Sequence, residues 1–347
     1  MVRSFVAGRM GRTLAAIAAI LAIMLVSAPG DLAAEVVLRL EPAKIVGPDA
    51  CGECHTGSVK VWKGTHHSTT FKELPRSKAA KKIAKAMGLK RIKADSQCLT
   101  CHFTTAIRKN KAKPIAGITC ESCHSAGADW IKVHGDYGGK KVTRDNEDPA
   151  HKKERHAKAD AAGMIRPARL YDVVANCYSC HTVPNEKLVN VGGHPAGSKF
   201  ELVAWSQGEV RHNVWYTKEN GEASQDRKRI MYVIGQALDL EFALRGVAQA
   251  TKKAKYAKRM AKRAKKAKKA IAAIAAAVKV PEIDAILAAG NSAKLKLNNG
   301  DALTAAADKV AAAAKKLAAN NDGSGLGGVD GLLPQAKDYK GTPAAAQ

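Results

Sequence analysis

Apolar positions in the C-terminal part of the chain follow a helical period. Between Ile230 and Leu244 they recur at three- and four-residue steps, which predicts an amphipathic helix. That helix runs into Lys252–Lys269, where eleven Lys or Arg residues are spaced by alanines, and both Ala and Lys favour helix. A narrow alanine stripe there can pack on a second helix while the lysine heads stay in water.

Two further helices complete this region. Pro281 stands where its missing N–H costs a helix little, so it predicts a helix start. Residues 298–301 predict a turn with Asp301 as N-cap of a last helix over 302–319, in which Leu303, Val310 and Leu317 are seven residues apart. Residues 225–320 therefore predict a basic Ala/Lys-rich helical bundle, and residues 321–347, rich in Gly, Pro and Ala, a flexible tail.

Residues 35–222 show little sustained periodicity and are rich in Gly, Pro and Asn. A short helix is expected near Lys78–Lys90, others beside the cysteine motifs, and almost no sheet. This stretch holds every cysteine, histidine and tryptophan of the chain. The fold class expected for the whole chain is mainly α.

The N-terminus has the pattern of an export signal. Three arginines precede the apolar run Leu14–Val26, and small residues before Glu35 give a cleavage site. Residues 1–34 are therefore predicted to be a signal peptide that sends the chain to the periplasm. An uncleaved N-terminal anchor is the alternative, although the run is short for the roughly 20 residues of a membrane span.

The net charge of +26 is strongly basic. Removal of residues 1–34 leaves 54 Lys+Arg against 30 Asp+Glu. Such a charge accelerates encounter with acidic proteins and anionic surfaces. Because the chain is predicted to be exported, we expect partner proteins with acidic docking surfaces rather than nucleic acid, and leave a homo-oligomer open.

All eight cysteines lie in four Cys-x-x-Cys-His motifs, the attachment pattern of c-type haem. In each motif the cysteines bind the haem covalently and the histidine binds its iron. The motifs are Cys51/Cys54/His55, Cys98/Cys101/His102, Cys120/Cys123/His124 and Cys177/Cys180/His181. Zinc sites, a disulfide framework or a thioredoxin-like pair are the alternatives, but none of them requires a histidine after every second cysteine. The motifs thus predict four haem c groups, which would supply much of the apolar core of residues 35–222.

Seven histidines lie outside the motifs, enough to give every iron a second axial ligand. Around them the sequence resembles the cytochrome c-554 family, tetrahaem cytochromes that accept electrons from hydroxylamine oxidoreductase. The resemblance covers residues 48–216 and rests on the motif order, the Trp62–His67 segment and the Cys-Glu-Ser-Cys-His motif at Cys120. The lysine-rich C-terminal part lies outside it.

The resemblance implies where the second ligands lie. His67 would bind the third haem, with His66 as its competitor, His134 the fourth haem, and His212 the first haem. The second haem is open in the family's nitrifier members, but here Gly192-Gly193-His194-Pro195 suggests that His194 closes it. His151 and His156 are expected in an exposed loop.

The expected function is single-electron transfer between redox partners, without bond chemistry. The partners expected are periplasmic or membrane-associated redox proteins with acidic docking surfaces. The alternatives are an enzyme that binds or reduces nitric oxide or another small nitrogen compound at an open second haem, and a subunit of a multihaem filament or complex.

Overall fold

Helices make up most of the computed structural model, which describes residues 40–94, 96–217 and 219–345. The mainly α prediction is confirmed. The predicted signal peptide lies outside the described residues. The described residues of the cysteine-bearing part form twelve α-helices: α1 Pro48–Gly52, α2 Thr56–Lys63, α3 His66–Glu73, α4 Lys78–Ala86, α5 Ser96–His102, α6 Glu121–His124, α7 Ile131–His134, α8 Pro149–Ala161, α9 Leu170–His181, α10 Glu186–Asn190, α11 Leu202–Ser206 and α12 Val214–Thr217. The remaining α-helices are α13 Gln225–Ala248, α14 Lys255–Ala277, α15 Pro281–Ser292 and α16 Gly300–Asn320. Short 3-10 turns lie at Pro42–Lys44, Leu74–Arg76, Ile92–Ala94, Ser324–Leu332 and Ala336–Asp338.

A two-stranded antiparallel hairpin is the sheet that the described residues form. Its strands are β1 Thr104–Arg108 and β2 Lys111–Ala116. The connecting residues Lys109 and Asn110 both have positive φ, as a two-residue hairpin turn requires. The hairpin begins just after the second motif and ends just before the third, so it folds the chain between these two motifs back on itself.

Helix α13 lies at the centre of the packing, between α9 and α11 of the cysteine-bearing part and α14 and α16 of the bundle. It is therefore buried on nearly every side rather than along the single face that an amphipathic helix would bury. Its two buried carboxylates have cationic partners, because Asp239 accepts a hydrogen bond from Arg263 and Glu241 accepts one from Arg245. The prediction of one polar face missed these buried ion pairs.

The other bundle helices follow the sequence pattern closely. Basic helix α14 is separate from α13, and Ala257, Ala264 and Ala267 lie buried along it. Pro281 opens α15, and the seven-residue repeat of α16 is buried. The N-cap of α16 is Asn299, so Asp301 lies in the first turn and not at the predicted cap.

Residues 324–332 of the expected flexible tail pack against α13 instead. Leu326 and Val329 are fully buried, and Asp330 accepts two hydrogen bonds from the Arg229 guanidinium. Gly323 has a φ of 98°, and a Cβ there would meet the Asp226 carbonyl oxygen at 1.9 Å. The Gly-rich composition indicated flexibility, but two apolar anchors and one ion pair fix the segment.

Among the described residues, no helix is both long and apolar enough to cross a membrane.

Candidate haem sites

Each Cys-x-x-Cys-His motif lies on or beside an α-helix. Cysteines three residues apart on a helix share a face, and the following histidine lies on the same side as the first cysteine. We name the motifs in chain order site I (Cys51, Cys54, His55), site II (Cys98, Cys101, His102), site III (Cys120, Cys123, His124) and site IV (Cys177, Cys180, His181). No disulfide forms between the eight cysteines in the described chain.

Each motif histidine faces the ring of one histidine from elsewhere in the chain. The four pairs and their ring-centre distances are His55–His134 at 6.2 Å, His102–His194 at 6.3 Å, His124–His212 at 6.4 Å and His181–His67 at 6.2 Å.

These distances match the spacing that one iron ion between two imidazoles requires. With metal–nitrogen bonds of about 2.0 Å and about 1.15 Å from nitrogen to ring centre, two opposed ligand rings have centres about 6.3 Å apart. A porphyrin would supply four further nitrogens, so the two histidines of each pair would complete the coordination of the iron. The residues present therefore fit a haem at each of the four sites.

The pairs differ from the expected ones at three sites. The four histidines that meet the motifs are those predicted, and His194 meets site II as expected. His67 meets site IV rather than site III, His134 meets site I rather than site IV, and His212 meets site III rather than site I. That these rings bind iron stays a prediction.

The turn of the chain at His67 explains one of these differences. Trp62 Nε1 donates to the Ile118 carbonyl at 2.7 Å, and Ile118 N donates to the His67 carbonyl at 2.9 Å. A Cβ at Gly117 would lie 2.1 Å from that carbonyl oxygen. The backbone of His67 is thus held beside the start of motif III, while its ring faces site IV.

His66, the competitor of His67, is exposed and bound elsewhere. Its Nδ1 lies 2.8 Å from Glu209 Oε2, and its backbone N–H donates to the same carboxylate. The Glu209 carboxylate raises the pKa of His66. His67, in contrast, is turned inward, and burial lowers the pKa of its ring.

Five of the eight paired histidines have Nδ1 in hydrogen-bonding contact with an oxygen. An Nδ1–H that donates in this way fixes the tautomer in which Nε2 carries the lone pair that a metal needs. The acceptors are Ile165 O for His124 at 2.8 Å, Ile131 O for His134 at 2.7 Å, Ser198 Oγ for His181 at 3.0 Å, Pro195 O for His194 at 2.8 Å and Val210 O for His212 at 2.9 Å.

Burial also keeps motif histidines neutral. It is the main cause that lowers the pKa of His102 and of His181 to about 4, and neighbouring histidines add to it. Burial likewise lowers the pKa of His55 and of His124. A neutral imidazole keeps the lone pair that binds a metal.

The glycines before His194 allow its turn. Gly193 has a φ of 74°, and a Cβ at Gly192 would lie 2.6 Å from the Leu188 carbonyl oxygen. His194 N donates to that same carbonyl at 3.1 Å. The ordered turn predicted around His194 is therefore present, and its ring meets His102.

Helix α8 supports His134, a role that the sequence did not reveal. Glu147 accepts two hydrogen bonds from the Arg155 guanidinium, which also donates to the His134 carbonyl. His151 Nδ1 lies 2.8 Å from Glu147 Oε1. His151 and His156 thus lie on a helix, half-buried, and not in the exposed loop expected from the Lys/Glu-rich composition.

Glu121, inside motif III, ties this motif to the chain just before motif I. The buried carboxylate accepts hydrogen bonds from the backbone N–H groups of Val46, Gly47 and Gly127 at 3.0, 2.9 and 2.8 Å. Because it accepts two bonds on one oxygen and one on the other, it fixes both segments at once.

Contacts between motifs give the order in which the sites adjoin. The Cys120 thiol raises the pKa of Cys51, and the Cys180 thiol raises the pKa of Cys101, so the two thiols of each pair lie close together. Cys123 of site III also interacts electrostatically with Cys180 of site IV. Sites I and III, III and IV, and IV and II are therefore neighbours.

Comparison with known proteins agrees with the motif reading. Residues 50–125 match the family described as cytochrome c554 and c-prime, so the resemblance is confirmed over sites I to III. No curated protein and no solved structure matches the chain. The family match supports a c-type cytochrome that carries electrons on covalently bound haem c.

Proposed function

We propose that this protein is a tetrahaem electron carrier, and the match of residues 50–125 to the cytochrome c554 and c-prime family supports this. It would act in the periplasm, after cleavage before Glu35, and pass single electrons between partner proteins with acidic docking surfaces. Haem c supplies the reversible one-electron couple of its iron.

The observation that carries the proposal is the set of four histidine pairs with ring centres 6.2 to 6.4 Å apart. We assign both histidines of each pair as axial ligands. The motif cysteines hold each haem covalently, and the Nδ1 contacts orient the rings. With both axial positions taken, a site has no place for a substrate on iron, which favours electron transfer over catalysis.

The adjacency of the sites supports a path in the order I, III, IV, II. At each step a thiol of one motif shifts the pKa of a thiol of the next, which places the two motifs close together, so haems attached to them would have adjacent edges. Sites I and II would then be the two ends where partner proteins deliver or collect the electron.

Site II separates this function from an enzyme that binds a small nitrogen compound. The His102–His194 pair supports a closed iron there. The test is the haem content and the electron paramagnetic resonance (EPR) spectrum of the oxidised protein. We expect four haems per chain, all low-spin, and no nitric oxide binding to the reduced protein. One high-spin haem in the unaltered protein would contradict the electron-carrier assignment.

A further inference from the structure

Basic helix α14 presents a row of lysines to solvent. On the opposite face of the helix, the side chains of Tyr256, Met260 and Ile271 are buried. The exposed side chains recur at three- and four-residue steps, so they share one face. We name Lys258, Lys262, Lys265 and Lys269 the lysine row.

None of the four lysines of the row takes part in a salt bridge within the described chain; the ion pair that α14 forms there is Arg263 with Asp239. Like charges at this spacing repel each other along a helix. A surface with uncompensated positive charge gains free energy when negative charge is placed on it, which favours an acidic partner.

The start of α14 touches the chain segment that carries His194. Lys255 Nζ lies 3.4 Å from the His194 carbonyl oxygen, and Tyr256 N donates to Asn190 Oδ1 at 3.0 Å. Two turns further, Arg263 Nη1 donates to the Ser198 carbonyl at 3.2 Å. The lysine row therefore begins beside the distal ligand of site II.

We propose that the lysine row is the docking surface for an acidic redox protein, and that the electron crosses between this partner and the haem at site II. The inference rests on the proposed function, because it needs haem at the end of the I, III, IV, II order. A rigid helix with fixed charges beside that end would both attract an acidic partner and orient its redox centre toward His194.

The experiment is stopped-flow reduction of the oxidised four-haem protein by a reduced plant-type [2Fe–2S] ferredoxin, an acidic probe. We expect the second-order rate to fall as salt rises. Charge reversal of the row (K258E/K262E/K265E/K269E) should lower the rate about tenfold or more at low salt and remove most of its salt dependence.

The matched control reverses four exposed lysines near site I, with the same change in net charge. Lys152 and Lys153 lie on α8, the helix that supports His134, and Lys140 and Lys141 precede it. The control K140E/K141E/K152E/K153E should slow the reaction less than threefold. Equal slowing by both variants would show a general charge effect and overturn the docking site.

Carbodiimide cross-linking to the ferredoxin gives an independent readout of position. Cross-links are expected at the lysine row, and cross-links confined to other lysines would overturn the proposal. A second outcome would also overturn the proposal: the unaltered protein binds vesicles of anionic phospholipid, the row variant does not, and both react with ferredoxin at the same rate. The lysine row would then be a membrane-binding surface. Dithionite should reduce all four haems in every variant. Failure of that reduction in the unaltered protein would sink the proposed function itself.

Discussion

Replacement of His67 by Ala tests whether this histidine binds the iron of site IV or that of site III. The ring of His67 meets His181 at site IV, although its backbone lies beside the start of motif III. Loss of the ring should open one haem and convert it from low to high spin. Because one site of four changes, the high-spin signal should account for about a quarter of the total haem.

A background without haem IV identifies the opened site. Replacement of Cys177 and Cys180 by Ala removes the attachment points of that haem, and mass spectrometry then counts three haems. Adding His67→Ala to this background should create no new high-spin haem, because the partner iron is already gone. If His67 bound haem III, one of the three remaining haems would become high-spin.

His134 provides the control in the same background. Its ring meets His55 of site I, so His134→Ala should open one of the three remaining haems. EPR of the oxidised proteins, with spin quantification, measures both outcomes. A high-spin haem on adding His67→Ala to the three-haem background would refute the assignment of His67 to site IV.

Three other predictions follow from single contacts. Ser198→Ala removes an acceptor of the His181 Nδ1–H, so the imidazole ring should donate less electron density to the iron. Loss of a hydrogen bond worth about 1 kcal/mol should raise one reduction potential by up to about 40 mV in a redox titration, and an unchanged or lower potential would contradict this. Glu121→Gln keeps one acceptor oxygen but turns an amide N–H₂ toward a backbone N–H. The free energy of unfolding, measured with denaturant, should fall by about 2–4 kcal/mol, and a fall of less than 1 kcal/mol would count against the role of the carboxylate. Hydrogen bonds from Arg229 lower the pKa of Asp330 to about 2. The Arg229–Asp330 anchor of the C-terminal segment is therefore fully present above the pKa of about 4 that an aspartate has in the unfolded chain, and it is lost as pH falls through 2. Asp330→Asn at neutral pH should therefore lower the hydrogen-exchange protection factors of residues 324–333, and acid should lower them in the unaltered protein. Protection factors that stay unchanged in both experiments would exclude the anchor.

The sequence was most informative where chemistry depends on fixed local spacing. The cysteine motifs can be read directly because a haem requires two thiols and a histidine within one helical turn. The buried repeat of α16 was equally legible, since Leu303, Val310 and Leu317 recur with the helical period. The two-residue turn at Lys109 and Asn110 gave no such signal, because neither residue is a typical hairpin glycine.

The partners of the distal histidines could not be read from spacing. A position along the chain says which segment lies near, but the direction of a ring depends on how its backbone is held. At His67 the carbonyl is bound by Ile118 and the ring faces away from motif III. The flexible-tail prediction failed for a related reason, since Leu326 and Val329 are too few to give a periodic signal and yet are fully buried.

The bundle also contacts the segments that carry candidate haem sites, which its composition did not indicate. Arg263 of α14 is held by Asp239, lies over the Tyr178 ring and donates to the Ser198 carbonyl. Ser198 in turn contacts the Nδ1 of His181, and Lys255 contacts the His194 segment. The named contacts of α14 therefore lead to sites IV and II, whereas residues 50–125, the part that matches the family, carry motifs I to III. A buried ion pair near an iron shifts its reduction potential upward if the cation lies nearer and downward if the carboxylate does. On the proposed path, the C-terminal helices would thus affect both the potential of the last two haems and the surface on which the partner docks.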